Sequence, residues 1–445
     1  YVLTVCCAVC IIAGCGGGGG GGGGGGTNPT DPPAATAPTA PSGLAGQVVS
    51  NSQINLNWSD TSSDETGFRI ERSSGGLGFS RIATVASDAT AYNDSGLSAG
   101  VTYTYRVCAY NTAGASEYTS SISATTQNLS DREQVLALIT GHTYYLDAAS
   151  GSDTTGDGSS ALPWQTLAKA QSMVTSGDGV ILRNGNYGAY TENTTGRTAW
   201  VVYINDVGHA PVITNISSRF DTARDVYLVF YGIKIELAWI DPAGDAAWQA
   251  DLDHAGSTDP QYANSTSDTY MKTVSAIDAL YSNYLRIINC EIVGTNKHLT
   301  PYGYNSSYCN DVLIQGCHIH RVSRGINYVG SARMSVLYNH IHNINSSFIV
   351  SGRYCSDVLV EGNNSYDSKF SFAEDWCPRT QYYHASFIAI RSSDVTIRKN
   401  IFHDGGTSST IMFYHDTGDP AVYENILIEN NLLYDPQTQI GMVLH

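Results

Sequence analysis

Positive charge is what this chain has least of. Its 445 residues carry 23 Lys and Arg against 40 Asp and Glu, a formal net charge of −17. A sequence-independent grip on nucleic acid needs a basic footprint, so the shortage argues against a nucleic-acid partner. Long apolar runs are missing from the interior, and none reaches the ~18–20 residues that span a bilayer. Past the apolar first residues, Cys15 and six further cysteines contain no CxxC pair and no zinc-ligand spacing, which sets a metal ribbon aside. What the chain does have is a hydrophobic fraction of 42%, enough for sizeable cores, with 45 Gly and 29 Tyr.

The first residues read as an address and a tether. Residues 1–13 (YVLTVCCAVCIIA) are almost wholly apolar and too short to be a transmembrane helix. Residues 1–14 are therefore expected to be a signal peptide, one that begins with Tyr1 rather than Met and so reads as incomplete. Ile12-Ala13-Gly14-Cys15 resembles the lipobox of bacterial lipoproteins. The resemblance implies lipidation at Cys15, secretion, and anchoring to the bacterial outer membrane or cell surface. A plain secretory signal with a chance Cys is the alternative. Residues 15–40 form the expected linker: eleven consecutive glycines from Gly16 to Gly26, then a Pro/Thr/Ala stretch that stiffens the coil.

Residues 41–126 show short alternating runs with turn signals between them. Ile54-Asn55-Leu56-Asn57-Trp58, Gly67–Arg72 and Tyr103–Val107 are of this kind. Trp58 and the set Leu97, Tyr103, Tyr105, Val107, Ala109 and Asn111 resemble a fibronectin type III domain. That resemblance implies a β-sandwich and no chemistry. Residues 127–139 read as a second linker.

Residues 140–445 repeat themselves. Six segments align on Cys290, Cys317, Asn339, Asn363, Asn400 and Asn431, spaced by 27, 22, 24, 37 and 31 residues. Three residues earlier stand Ile287, Ile314, Val336, Val360, Ile397 and Ile428. About 22 residues make one coil of three short strands, and the surplus must leave as loops. The aligned residues should form an internal ladder, with Cys290 and Cys317 as stacked free thiols or a disulfide. Ahead of the repeats, Tyr144–Asp147, Gly151-Ser152-Asp153, Pro163-Trp164, Thr166–Ala170 and Gly185-Asn186-Tyr187 resemble the N-terminal cap of pectate-lyase-like β-helices. Leu167, Ala170 and Val174 make Pro163–Val174 an amphipathic helix. The expected class is all-β: a right-handed parallel β-helix, or solenoid, preceded by a fibronectin type III β-sandwich. The chain ends at Val443-Leu444-His445 inside another expected strand, so it reads as C-terminally truncated.

The resemblance implies a substrate cleft along Gly325–Val329, Phe348–Gly352, Phe387–Arg391 and Ile411–His415. The widest spacing puts a long loop, about Tyr366 to Ser386, on its rim. Trp376, Tyr382 and Tyr383 offer rings for sugar faces, Arg379 a cation for a carboxylate, and Asn327 a hydrogen-bonding amide on the cleft strand. Uronate β-elimination needs a cation at the carboxylate, a base at C5 and an acid at the leaving oxygen. Lys369, Arg353, Arg391, His384, Tyr414 and His415 are the candidates, with Ca²⁺ as the cofactor such chemistry can use. For each residue alone, a solvated surface group is the plainer reading. Residues 281–445 hold nine of the twelve His and a net charge of only −3.

His318-Ile319-His320 and His340-Ile341-His342 occupy equivalent places on neighbouring coils, with His403 further along. Four outward imidazoles could hold a transition metal. They could equally be a solvent-facing stack, because no carboxylate stands at fixed spacing to them. Hydrolysis would need paired carboxylates, and Glu374-Asp375, Asp404 and Asp435 do not reproduce such a pair. The expected function is therefore a surface-anchored, monomeric lyase acting on an acidic polysaccharide. A non-catalytic glycan-binding adhesin and a β-helix hydrolase are the alternatives.

Overall fold

A computed structural model of the chain describes residues 36–75, 77–237, 275–294, 302–322, 324–344, 348–366, 386–403, 411–413, 424–434 and 442–444. The chain divides into two compact units, Tyr1–Leu129 and Ser130–His445. Strand is the dominant regular structure among the described residues, in the expected order of sandwich and then parallel β-helix.

In the first unit, strands Ser42–Val48, Gln53–Ser59 and Ala91–Ser95 form one antiparallel sheet. Gly67–Ser74, Ser80–Ala86, Thr102–Tyr110 and Ile122–Thr125 form the other. Alternation decides what lies between them: Ile54, Leu56, Trp58, Phe68, Ile70, Tyr105 and Val107 are buried in one cluster. The Tyr105 hydroxyl donates to Asp94 at 2.8 Å, and Arg72 closes on the same carboxylate at 2.9 Å. A buried carboxylate is tolerated because both oxygens are engaged.

The second unit is a stack of parallel coils. Its first wall runs through Asn215–Tyr231, Ser275–Ile288, Tyr302–Ser307, Arg324–Val329, Phe348–Glu361, Ser386–Ser392, Ile411–Phe413 and Met442–Leu444. The later residues of the longest strands turn a corner and join a second wall with Asn310–Gln315, Ala332–Leu337, Val395–Arg398 and Ile426–Glu429. A third wall runs from Gly185–Asn186 through Glu291–Val293, His318–Val322, His340–Ile344, Asn364–Tyr366 and Ile401–His403 to Leu432–Tyr434. Every wall sends alternate residues inward. Ile287, Ile314, Val336, Val360 and Ile397 form one buried stack, and Ile292, Ile319, Ile341 and Phe402 another. Each such aliphatic side chain contributes about 1.5–3 kcal/mol by leaving water.

The expected ladder runs up one corner. Asn339 Nδ2 donates to Asn363 Oδ1, Asn363 Nδ2 to Asn400 Oδ1, and Asn400 Nδ2 to Asn431 Oδ1, each at 2.9 Å. Each Oδ1 also accepts the backbone N–H of the rung before it, and each Nδ2 also donates to a carbonyl one coil back. Cys290 and Cys317 continue the column as buried free thiols. Burial pushes the Cys317 thiol well above its ordinary value, which keeps it protonated and unreactive. A second corner carries a column that no sequence motif announces: Ser282, Cys309, Ser331, Cys355 and Ser392, where from Cys309 onward each side-chain oxygen or sulfur accepts the backbone N–H of the rung before.

The residue before each ladder position is left-handed: Asn289, Tyr338, Lys399 and Asn430 share the column with Gly232, Gly316 and Gly362. Gly362 is required twice over, for its φ of +69° and because a Cβ would come within 2.3 Å of the Tyr338 ring lying across it.

Two expectations change. The interval 127–139, read as a linker, contains helix α1, Asp131–Leu136, with Ser130 and Glu133 forming a capping box. Val135 buries against Val202, Ile204, Val229 and Ile288 on the outside of the coils. Arg132 donates to Asn205 at 2.9 Å. The helix expected over Pro163–Val174 is shorter, α2 at Leu167–Met173. Asp153 binds the Thr166 hydroxyl at 2.6 Å, and Thr166 caps Lys169 N–H at 3.1 Å, so the helix starts there. Trp164 instead forms an isolated parallel bridge with Leu146. Leu167 and Ala170 still enter the core, as their spacing implies.

Candidate functional site

The expected cleft strands lie side by side on the first wall. Arg324–Val329, Phe348–Glu361, Ser386–Ser392 and Ile411–Phe413 pair in sequence, in parallel. Asn327 stands opposite Ser351, and Ser351 opposite Ala389. Two residues further along, Val329 stands opposite Arg353, and Arg353 opposite Arg391. Two arginine positions therefore occupy adjacent rungs, one strand spacing of ~4.8 Å apart.

Asn327 belongs to a polar row. Its Nδ2 donates to Asn305 Oδ1 at 2.8 Å, and Asn305 Nδ2 donates to Asp278 Oδ1 at 3.2 Å. Arg219 closes the row on the other oxygen of Asp278. Asp278 is 3% exposed and Asn327 9%. The row is directional: every amide donates toward the carboxylate, leaving the Asn327 carbonyl as the acceptor at its far end. Arg324 donates to the Tyr302 hydroxyl at 2.8 Å on the same wall.

Of the expected catalytic and binding residues, Lys369, His384, Tyr414, His415, Trp376, Arg379, Tyr382 and Tyr383 lie outside the described residues, as does the expected lipidation site Cys15. Arg353, Arg391 and Asn327 are the members placed on one wall. Asp278 is the buried carboxylate of the polar row. Its two oxygens accept from Arg219 and Asn305, which satisfies the carboxylate.

The four expected histidines do converge, on the third wall. Register sets His318 against His340 and His320 against His342. His318 Nε2 lies 2.7 Å from His342 Nε2. The rings of His320 and His342 stack at 5.3 Å and 4°. Tyr366 extends the stack, 5.0 Å from His342 and 5.0 Å from His403. Burial, then the like charges of His320 and His340, hold the His318 pKa below the ordinary histidine value.

Reasoning from the sequence missed one member of this group. Glu291 stands opposite His318 one coil earlier, and its Oε1 lies 3.1 Å from His320 Nε2. The signal was present, since Glu291 follows Cys290 as His318 follows Cys317 and His340 follows Asn339. Arg219, Asp278 and Asn305 were also missed; they fall outside the aligned segments, and no motif marks them.

With the geometry in place, the relatives can be set beside it. Residues 39–125 match the family model of the fibronectin type III domain, and residues 268–441 that of the right handed beta helix region. The chain therefore carries one domain of each kind. No curated protein matches the chain. Among solved structures it is similar to the FN1–FN3 domains of chicken CNTN1 (22% identity, 20% of this chain and 30% of that one, TM-score 0.19). It is also similar to a beta-1,2-glucanase from Parabacteroides distasonis (25% identity, 25% of this chain and 16% of that one, TM-score 0.20). The chain thus spans less than a third of these structures.

Proposed function

We propose that the β-helix unit binds a uronate-containing polysaccharide along its first wall and cleaves it by β-elimination. In that reaction a base removes the proton at C5, the C4–O bond breaks toward the leaving sugar, and a C4–C5 double bond remains on the new end. The observation that carries the reading is the register of Arg353 against Arg391. Two arginines at adjacent backbone rungs would suit the uronate carboxylate, whose charge must be neutralised before C5 becomes acidic. The Arg219–Asp278–Asn305–Asn327 row lies along the same wall and offers a fixed acceptor for a sugar hydroxyl. His384, Lys369, Tyr414 and His415 remain the proposed sources of the base and acid. The chain would work at a bacterial surface, tethered through Cys15, as a monomer. Pectate, alginate and glycosaminoglycans incubated with the chain should yield an unsaturated product that absorbs in the ultraviolet. Arg391→Ala should lower its rate by about a hundredfold, the scale of losing one charge-stabilising group. Absence of both absorbance and new reducing ends on all three substrates would overturn the reading.

Surface tyrosines favour one second reading, a glycan-binding protein without catalysis. Tyr227 and Tyr284 stack at 4.4 Å beside Trp200, and Tyr308, Tyr338 and Tyr354 are exposed. Such rings suit sugar faces. Retained glycan binding with no product would select this reading.

A further inference from the structure

We propose that Glu291, His318, His320 and His342 form a binding site for one divalent transition-metal ion, which joins three consecutive coils of the β-helix. The proposal is independent of the polysaccharide reading, because these residues sit on the third wall and the proposed cleft on the first.

The side chains come from three rungs. Glu291 lies on Glu291–Val293, His318 and His320 on His318–Val322, and His342 on His340–Ile344. One ligand atom from each of Glu291, His318 and His320 lies within 4.8 Å of the other two. A tetrahedral ion with bonds of ~2.0–2.1 Å holds its ligand atoms ~3.3 Å apart. The Glu291–His320 separation of 3.1 Å already matches that edge. His342 lies outside that cluster, 2.7 Å from His318, and would complete the set by turning toward Glu291 and His320. Two imidazole nitrogens that close can share only one proton between them, so at least one presents a lone pair, which is what a metal ligand requires.

The framework holds the rungs in place. His318 N–H donates to Cys290 O at 2.9 Å, and His340 N–H to Cys317 O at 2.8 Å, so the ligands project from a hydrogen-bonded wall and not from a loop. Tyr366 stacks on the His342 ring at 5.0 Å. Lys234, opposite Glu291 in the wall, pairs with Glu236 at 2.7 Å and leaves the Glu291 carboxylate to the histidines. Three imidazoles with one carboxylate suit Zn²⁺, Ni²⁺, Co²⁺ or Cu²⁺ and are a poor set for Ca²⁺ or Mg²⁺.

The experiment uses the untagged chain, stripped with a chelator and dialysed. Titrating Zn²⁺ and Ni²⁺ by calorimetry should give a single high-affinity site per chain, and excess Ca²⁺ should not displace the metal. Co²⁺ should develop visible d–d absorption of tetrahedral intensity. His318→Ala and His320→Ala should each weaken binding at least ~10-fold, the usual scale for losing a metal-site residue. The double variant should lose both the site and the metal-induced rise in Tm. His403→Ala, one rung beyond Tyr366, should bind as the parent does. Circular dichroism of each variant separates loss of the site from loss of the fold. No stoichiometric binding of any of these metals, or binding that survives in the folded double variant, would overturn the proposal.

Discussion

The sandwich and the solenoid solve the same problem, burying polar groups, in opposite ways. In the sandwich, Asp94 is satisfied by two unlike partners, Arg72 and Tyr105, and nothing above or below repeats the arrangement. In the solenoid, Asn339, Asn363, Asn400 and Asn431 satisfy one another, each rung completing its neighbour. A unique pair fails alone. A ladder passes its loss along the stack, because every side chain is both donor and acceptor to adjacent coils.

Breaking each arrangement should separate them. Asn363→Ala removes the acceptor of two Asn339 donors and should cost the β-helix about 3–5 kcal/mol. Asp94→Ala should cost the sandwich less, about 2–3 kcal/mol, because Arg72 is 30% exposed and can turn to water while only Tyr105 is left buried. Urea unfolding of the whole chain should show two transitions, with each variant moving one of them. A single transition shifted by both variants would remove the contrast.

Acid should act on the solenoid in two separate windows. His318 has a folded-state pKa below its unfolded value, so the unfolded chain binds the proton first. Its contribution to stability is whole above pH 6.5 and shrinks as pH falls from there toward the depressed value. Glu361 is held below its ordinary value by Lys399 and then Arg398; its contribution is whole above pH 4.5 and is lost as pH falls below it. His318→Gln should abolish the upper window and leave the lower one, as read from midpoints of urea unfolding against pH.

The smallest effect sharpens the role of the corners. Asn430 occupies the left-handed column with φ +55°, where Gly232, Gly316 and Gly362 serve elsewhere. Asn430→Gly should change stability by less than about 1 kcal/mol, since relief of the left-handed strain offsets the added freedom of the unfolded chain. A larger loss, measured by the same unfolding, would mean that the Asn430 side chain holds the corner.

Much of the β-helix was legible before any coordinates. The Asn column, the buried Ile and Val three residues ahead of it, and the paired His-Ile-His segments repeat with the coil, so aligning the repeats stacks them. Legibility stopped where the repeat carries no mark. Residues 127–139 looked like a linker because the six helical residues within them hold a single buried anchor, Val135. The Ser282–Ser392 column mixes Ser with Cys and so shows no constant letter. Glu291 was legible in principle, one position after its ladder residue, but it reads as an ordinary surface acid until the coils are stacked.

The sequence alone determined that the later chain winds into a repeating solenoid, because strand alternation and a constant corner residue are local properties that every coil must satisfy. Only the tertiary structure decided what comes together across coils: the positions of Arg353 and Arg391, the side chains of Asn327, Asn305 and Asp278, and Glu291 with His318 and His320. Loops of unequal length separate those residues along the chain, and their proximity comes from the hydrogen-bonded register between coils, which loop length does not encode.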